Sequence, residues 1–453
     1  MENLSSHLSS HIELPDAPQQ IQTQTRTPET ESGSFPFNHQ RISDGALHVL
    51  SRLNELDHEA YLVGGSVRDL LLDIKPKDFD VATAALPEQV RQAFPKHCRL
   101  IGRRFLLAHV RHRHEIIEVS TFRAPPPAAD KRYPETESGR LLRDNSFGTL
   151  EQDARRRDFT VNALYYSITD DAILDFSSGL EDMKKRQLRM IGEPERRYRE
   201  DPVRMLRVIR LACKLNFSIE SGTIEPIPTF GALLKEAPPA RLFDECAKLF
   251  LAGYGQSVWN ALREYQLSQW MFPSVDQMIK NGDHNAEEFI RRGLNNSDAR
   301  IRAGKSVNPA FLFAVLLWPI VQRQCQSETI ASVNMQQLDL ISLKVWQEQN
   351  KQISIPRRWA TMMMEIWRLQ KALENRRGKR AIALLQHPRF RAAYDFLLLR
   401  GANGEVTERL CQYWTKIQED HPVQRSAIIS DDPDNNSSHS SRRRRRTSKR
   451  PLS

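Results

Sequence analysis

Residues Tyr61–Asp80 read YLVGGSVRDLLLDIKPKDFD, and the fold turns on how this stretch divides. An apolar run ends at Gly64-Gly65. A helix-forming segment starts at Ser66, which has the side chain of an N-cap, with Asp69 three residues on as its capping-box partner. A strand, two glycines and a helix start together make a phosphate cradle. Glycine lets backbone N–H groups approach an anion, and the helix start adds donors and a favourable dipole. Arg68, in the first turn, adds a guanidinium suited to phosphate oxygens. A Gly-Gly pair before a helix is often only a tight turn, and no Gly-Lys-Ser/Thr follows, so this is not a Walker A loop.

Asp78 and Asp80 add weight to the phosphate reading. At i and i+2 of a strand both carboxylates point to one face, while Phe79 and Val81 turn to the core. Two like charges on one face repel unless a cation sits between them. Hard oxygen ligands suit Mg²⁺, which takes one or two protein carboxylates plus substrate phosphates. An isolated Asp-x-Asp reads as a pair of solvated turn residues; with GGSVRD upstream the metal reading leads.

Two further constellations lie downstream. Arg155-Arg156-Arg157-Asp158-Phe159-Thr160 runs into the apolar VNALYY, which places three cations and an acid at the border of core and cleft. Asp201-Pro202 starts a helix, with Asp201 as N-cap and Pro202 at its first position. Arg204 and Arg207 then share one helical face, opposite Val203, Leu206 and Ile209. A surface salt-bridge stripe is the competing reading. Glu118, on the strand-like EIIEVSTFR, is either a further acid near the metals or an edge-strand glutamate.

Around these motifs the chain has 453 residues, 40% of them hydrophobic, and a formal net charge of +10. That charge suits a polyanionic partner, although the run Arg442–Arg446 with Lys449 and Arg450 supplies much of it. Any nucleic-acid surface on the folded part is therefore a local patch. The five cysteines are widely spaced with no CxxC pair, which suggests neither a disulfide framework nor a zinc site and fits a reducing cytoplasm. The N-terminus lacks the basic and apolar regions of a secretory signal. The longest apolar runs, such as Phe311–Pro319, fall short of the roughly 18 residues a membrane helix needs.

Residues 1–40 are rich in Ser, Thr, Gln, Pro and Glu, and residues 426–453 in Asp, Asn, Ser and then Arg. Both read as disordered, the second as a basic tail. From 41 to 190, strand-like runs (AYLVGG, FDVAT, HEIIEVSTF, LYYSI) alternate with helical pieces such as GALHVLSRLNEL. From 191 to 425 the pattern is almost wholly helical. The proline-rich segment Ala124–Gly139 interrupts the head and is expected to be a mobile loop or a neutral surface insertion.

GGSVRDLLL…DFD, RRDFTVNALYY and EDPVRMLRVIR, in this order, resemble the class II nucleotidyltransferase family, which contains tRNA CCA-adding enzymes and bacterial poly(A) polymerases. The similarity covers roughly residues 41–420. LIGRRFLLAHV (100–110), LLRDNSFG (141–148) and the helical APPARLFDECAKLFLAGYG (237–255) are similar to the polymerase branch.

The resemblance implies an α+β fold. A head at 41–190 carries a five-stranded nucleotidyltransferase palm with a mixed sheet. An all-α neck at 191–255 holds the nucleotide-selecting helix, and an all-α RNA-binding body spans 256–425. It implies catalysis by Asp78, Asp80 and Asp158, with Mg²⁺ on Asp78 and Asp80 in a two-metal mechanism. Nucleotide contacts fall to Gly64, Gly65, Ser66, Arg68, Arg157, Asp201, Arg204 and Arg207. The implied reaction is addition of AMP from ATP to RNA 3′ ends. A CCA-adding enzyme and a non-catalytic RNA-binding protein on the same scaffold are the alternatives. Arg376–Arg380 and the C-terminal arginines are candidate RNA grips, the tails are candidate docking sites for RNA-decay or RNA-chaperone proteins, and the chain is expected to be a cytoplasmic monomer.

Overall fold

The computed structural model describes residues 29–31, 39–102, 106–124, 146–327, 333–374 and 379–419. The head is built on one sheet of eight strands. These are β1 (Glu29–Glu31), β2 (Ala60–Val63), β3 (Asp80–Thr83), β4 (Cys98–Ile101), β5 (Leu107–His112), β6 (Glu115–Thr121), β7 (Leu164–Ser167) and β8 (Ala172–Asp175), in the order β1-β8-β7-β2-β3-β6-β5-β4. The β3–β6 pair is parallel and the other pairs are antiparallel. The sheet is therefore mixed, and it extends beyond five strands because the β4–β5 hairpin and β1 lengthen its two edges.

The central strands are short and apolar. Leu62, Val63, Val81, Ala82, Leu164 and Tyr165 are all buried, which fits strands covered on both faces. Helix α1 (Asp44–Glu55) closes one face. Ser43 Oγ accepts the Ala46 N–H at 3.1 Å as its cap, and Ala46, Val49, Leu50 and Leu53 form the buried stripe. Against the other face Val63, Ala82, Phe122, Ala154 and Tyr165 make a smaller core.

Three expectations are revised. β1 lies inside the segment 1–40 expected to be disordered; it joins the outer edge of β8, where main-chain pairing does not need apolar side chains. Helix α2 runs Gly65–Leu71 with Gly64, not Ser66, at the N-cap. Ser66 is inside the helix and its Oγ donates to the Val63 carbonyl at 3.1 Å. Asp78 precedes β3 rather than sitting in it, although Phe79 and Val81 are buried as the alternation requires. The expected loop 124–139, the cluster Arg376–Gly378 and the basic tail lie outside the described residues, apart from Ala124.

Beyond the head the chain is helical. Helix α3 (Pro87–Ala93), α4 (Leu150–Arg156) and α5 (Gly179–Lys185) belong to the head; α6 (Pro194–Glu200) and α7 (Val203–Leu215) carry the chain out of it. α7 starts one residue or so later than its capping signal implied, a shift within the usual ambiguity of helix ends. Asp201 Oδ1 still accepts the Val203 N–H at 3.3 Å. In the body, helix Pro309–Ser327 buries every residue from Leu312 to Trp318. A helix apolar all round must be surrounded, and it packs between His284–Arg302, Met335–Asn350 and Arg357–Glu374. Among the described residues no helix is long and apolar enough to cross a membrane.

Candidate active site

The register of three strands builds an acidic row. Asp80 on β3 pairs with Glu118 on β6, and Glu118 pairs with His109 on β5. The three side chains therefore share one face of the sheet, with His109 Nε2 3.4 Å from Glu118 Oε1. Asp78 stands just ahead of β3, 75% exposed, and among the described residues Lys77, at 3.9 Å, is its one ion-pair partner. Partial burial first, and then the facing Glu118 charge, push the Asp80 carboxyl up to about 6, while Arg157 pulls the other way. Among the described residues no Lys or Arg closes an ion pair on Asp80.

This is the signature of a site short of positive charge. Carboxylate oxygens are the donors Mg²⁺ takes, so the residues present fit that ion. Among the described residues no three His, Cys, Asp or Glu side chains converge into a closed metal cage. An ion on Asp78 and Asp80 would thus complete its shell with water or substrate oxygens, which is the usual habit of Mg²⁺ in phosphate chemistry.

The glycine turn lies directly beside this row, because Val63 pairs with Asp80 across β2 and β3. Gly64 has φ +80° and ψ −133°, a conformation essentially reserved for glycine. A Cβ there would lie 3.4 Å from Arg157 Nη1. Arg157 thus projects its guanidinium over the turn. It is held by Tyr165 Oη, which accepts its Nε–H at 2.8 Å, and by Asp153 Oδ2 at 3.1 Å. A fixed cation beside a glycine turn and a Mg²⁺-type carboxylate pair is an arrangement that could hold a polyphosphate, although the Gly64 N–H is taken by the Leu164 carbonyl at 3.3 Å.

Arg68 has a different placement from the one expected of it. It is 4% exposed. Its Nε and Nη2 donate to Asp69 Oδ1 at 2.9 and 2.5 Å, and Nη1 donates to Asn162 Oδ1 at 2.5 Å. The guanidinium turns inward because Asp69 and Asn162 offer it acceptors away from water, so it supports the turn from behind. Asp158 is likewise committed to protein. Its peptide is fixed by a bridge between Phe159 and Met190 and by the Ile191 N–H on its carbonyl at 3.0 Å. Its carboxylate accepts from Arg207 Nε and Nη2 at 2.8 and 2.5 Å, from Asn162 Nδ2 at 3.2 Å, and from the Phe159 N–H at 2.9 Å. Burial raises its pKa, but the Arg207 charge and these hydrogen bonds more than offset that and leave it at about 2.

These contacts close a polar circuit. Arg207 on α7 holds Asp158, Asn162 links Asp158 to Arg68, Arg68 holds Asp69, and Lys214 on α7 returns to Asp69 Oδ2 at 2.8 Å. Two positions seven residues apart on α7 are thereby clamped to the head. Arg197 on α6 adds a stitch, donating from Nη2 to the Arg156 and Arg157 carbonyls at 2.7 and 2.6 Å.

The remaining face of α7 is fixed from outside. Asp201 accepts two parallel hydrogen bonds from Arg241, at 2.8 and 2.7 Å. Burial acts to raise its pKa, but Arg241 holds it below the usual aspartate range. Arg204 Nη1 donates to Glu200 Oε2 at 3.0 Å and to the Arg197 carbonyl at 2.7 Å. Asp201, Arg204 and Arg207 are therefore grouped, each with its own partner. Sequence reading missed Arg241, Asn162, Glu200 and Arg197. Only Arg241 had a local signal, as a lone cation at the start of the amphipathic helix Pro239–Phe250.

Comparison with known proteins agrees with this architecture. The poly(A) polymerase head domain matches residues 60–189. The probable RNA- and SrmB-binding site of polymerase A matches 216–279, and the arginine-rich C-terminus of polymerase A matches 333–450. Poly(A) polymerase I of Salmonella typhimurium is 46% identical over 400 residues, covering 86% of this chain and 85% of that protein. The Haemophilus influenzae protein of the same name is 40% identical over 415 residues, 88% and 90% of the two chains. A Bacillus cereus CCA-adding enzyme is 35% identical over 248 residues, only 54% of this chain. The fold is shared with a Thermotoga maritima CCA-adding enzyme complexed with tRNA, at a TM-score of 0.55 and 19% identity over 84% of each chain. With three of its family models in sequence order and relatives of this identity along most of its length, the chain belongs to the poly(A) polymerase family.

Proposed function

We propose that this chain is a template-independent polynucleotide adenylyltransferase, which transfers AMP from ATP to RNA 3′ ends and releases pyrophosphate. The observation that carries this reading is the Asp78/Asp80 carboxylate pair beside the Gly64 turn, on a chain similar along most of its length to poly(A) polymerases. In the reaction a 3′-hydroxyl oxygen bonds to the α-phosphorus of ATP, the bond from that phosphorus to the pyrophosphate oxygen breaks, and the hydroxyl proton passes to solvent water. Mg²⁺ on Asp78 and Asp80 would supply acidification of the hydroxyl and charge neutralisation on the triphosphate.

The chain's own residues do the rest. Gly64 and Gly65 leave room for phosphate oxygens close to the backbone, with Arg157 as the cation above them. Arg68, Asn162 and Asp158 hold that turn and α7 in a fixed relation. Adenine presents an amino donor and a ring-nitrogen acceptor, and needs one acceptor and one donor facing it. Asp201 and Arg204 supply that pair, and Arg241 and Glu200 keep both from rotating. A rigid protein wall thus stands in for a template base. A nucleotide and RNA as substrates suit a cytoplasmic enzyme, and a monomer suffices for the site.

A CCA-adding activity is the second reading, favoured only by the shared site and fold. Extension of a 5′-labelled RNA with each NTP singly decides between them. Long ladders with ATP and little with CTP support adenylyl transfer. Addition that stops at CCA on tRNA lacking its 3′ end moves the assignment to the sister activity. RNA binding with no extension at all overturns the enzyme reading.

A further inference from the structure

A second recess lies in the body and shares no residue with the active site. It is a cavity of 520 Å³ between the helices His284–Arg302, Pro309–Ser327 and Phe390–Ala402. Two of these helices begin at its rim: Asn308 and Phe311 bring the start of one, Arg389 and Arg391 the start of the other. Helix starts present free N–H donors and a partial positive charge. Three arginines surround the opening. Arg300 Nε is oriented by the Ser306 carbonyl at 3.0 Å. Arg391 is 66% exposed, pairs with Asp395 at 3.0 Å and covers the Tyr394 ring at 5.5 Å. Arg389 Nε is buried with no hydrogen-bond acceptor, its nearest carboxylate being Glu365 at 3.5 Å.

The wall opposite the charge is apolar. Leu398 is 37% exposed, the half-buried Phe311 lines the cavity with it, and the buried Leu399 lies behind them. Apolar side chains, arginines and two helix starts in one cavity match the two halves of a nucleotide, base and phosphate. Asp395 is the one carboxylate in the lining, and Arg391 and Arg300, at 3.0 and 4.0 Å, offset its charge.

We infer that this cavity is a subsite for one nucleotide of single-stranded RNA, the base against Leu398 and Phe311 and the phosphate on Arg300, Arg389 and Arg391. The inference rests on the proposal that RNA is the substrate. It gives the body a sequence-tolerant grip, because every base has an apolar face and every nucleotide a phosphate.

The test uses the full chain and a 5′-fluorescein oligoadenylate. The double variant Arg391→Glu with Leu398→Ser changes two exposed side chains, and circular dichroism confirms its fold. The expected result is roughly tenfold weaker binding by fluorescence anisotropy, and a salt slope shallower by about one phosphate contact. In extension assays KM for RNA rises while kcat stays unchanged, and Arg391→Lys retains most of the affinity. Thiouridine-labelled RNA crosslinks to peptides from 293–311 or 388–399. Unchanged affinity and slope in the double variant, or crosslinks confined to other peptides, overturn the subsite. Wild-type extension is measured in parallel: weakened RNA binding in the variant with no extension by the wild type supports the subsite and removes the polymerase reading.

Discussion

Asp158 and Arg207, 49 residues apart, are joined by two hydrogen bonds of 2.8 and 2.5 Å from one guanidinium to one carboxylate oxygen. The pair ties the head to α7, and it makes Asp158 a positioning residue for Arg207. Asp158→Asn or Arg207→Gln alone removes charge-assisted hydrogen bonds from a half-buried pair, a loss of roughly 1.5–3 kcal/mol. The double variant is expected to cost less than the sum, with a coupling of roughly 1–3 kcal/mol in urea unfolding. Additive losses would show that the two residues act separately.

The same pair sets an acid limit. Asp158 titrates at about 2 in the folded protein, below the roughly 3.9 of an unfolded aspartate. Its stabilising effect is therefore complete above about pH 4 and is lost as pH falls toward 2. The difference is worth roughly 2 kcal/mol. Between pH 5 and pH 3, Tm is expected to fall more steeply in the wild type than in Asp158→Asn. Parallel profiles contradict the assignment.

If Asp201 reads the base as proposed, Arg241 acts on selection by holding its carboxylate. Arg241→Ala removes both hydrogen bonds that hold the Asp201 carboxylate. Charge-assisted bonds of this kind are worth roughly 1.5–3 kcal/mol, so KM for ATP is expected to rise by about tenfold or more, with increased use of CTP. RNA affinity stays the same, because Arg241 lies on the nucleotide side. Steady-state kinetics with ATP and CTP, alongside anisotropy, check both halves; unchanged nucleotide preference would remove Asp201 from base reading.

Gly64 allows a backbone conformation that a Cβ disfavours by roughly 1–3 kcal/mol. In Gly64→Ala the added carbon also meets Arg157 Nη1 at 3.4 Å. Thermal unfolding is expected at lower temperature, with kcat/KM for ATP reduced more than RNA affinity. A variant with wild-type kcat/KM would show that the turn does not contact nucleotide.

The head was legible because its decisive signals are local. Val63-Gly64-Gly65 and Phe79-Asp80-Val81 carry their turn and their alternation within a few residues, and the structure keeps both, with the helix starting at Gly65 rather than Ser66. The inward turn of Arg68 was not legible, since it depends on Asn162, 94 positions away. The same holds for Arg241 on Asp201 and for Lys214 on Asp69, which the sequence separates by 40 and 145 residues. The identity of the site residues is written in motifs; which of them face substrate and which hold the others is decided by tertiary pairing. β1 escaped for a related reason, because its partner is a main-chain edge that leaves no mark in side-chain composition.

On the proposed function, Asp78 and Asp80 hold the catalytic Mg²⁺ for AMP transfer. Single-turnover extension of a labelled RNA by Asp78→Asn and Asp80→Asn, with saturating ATP and Mg²⁺, tests it most directly. Loss of several kcal/mol of charge stabilisation lowers the rate about a thousandfold in each variant, while anisotropy shows RNA affinity unchanged within about twofold. A near-wild-type rate in either variant would contradict the account.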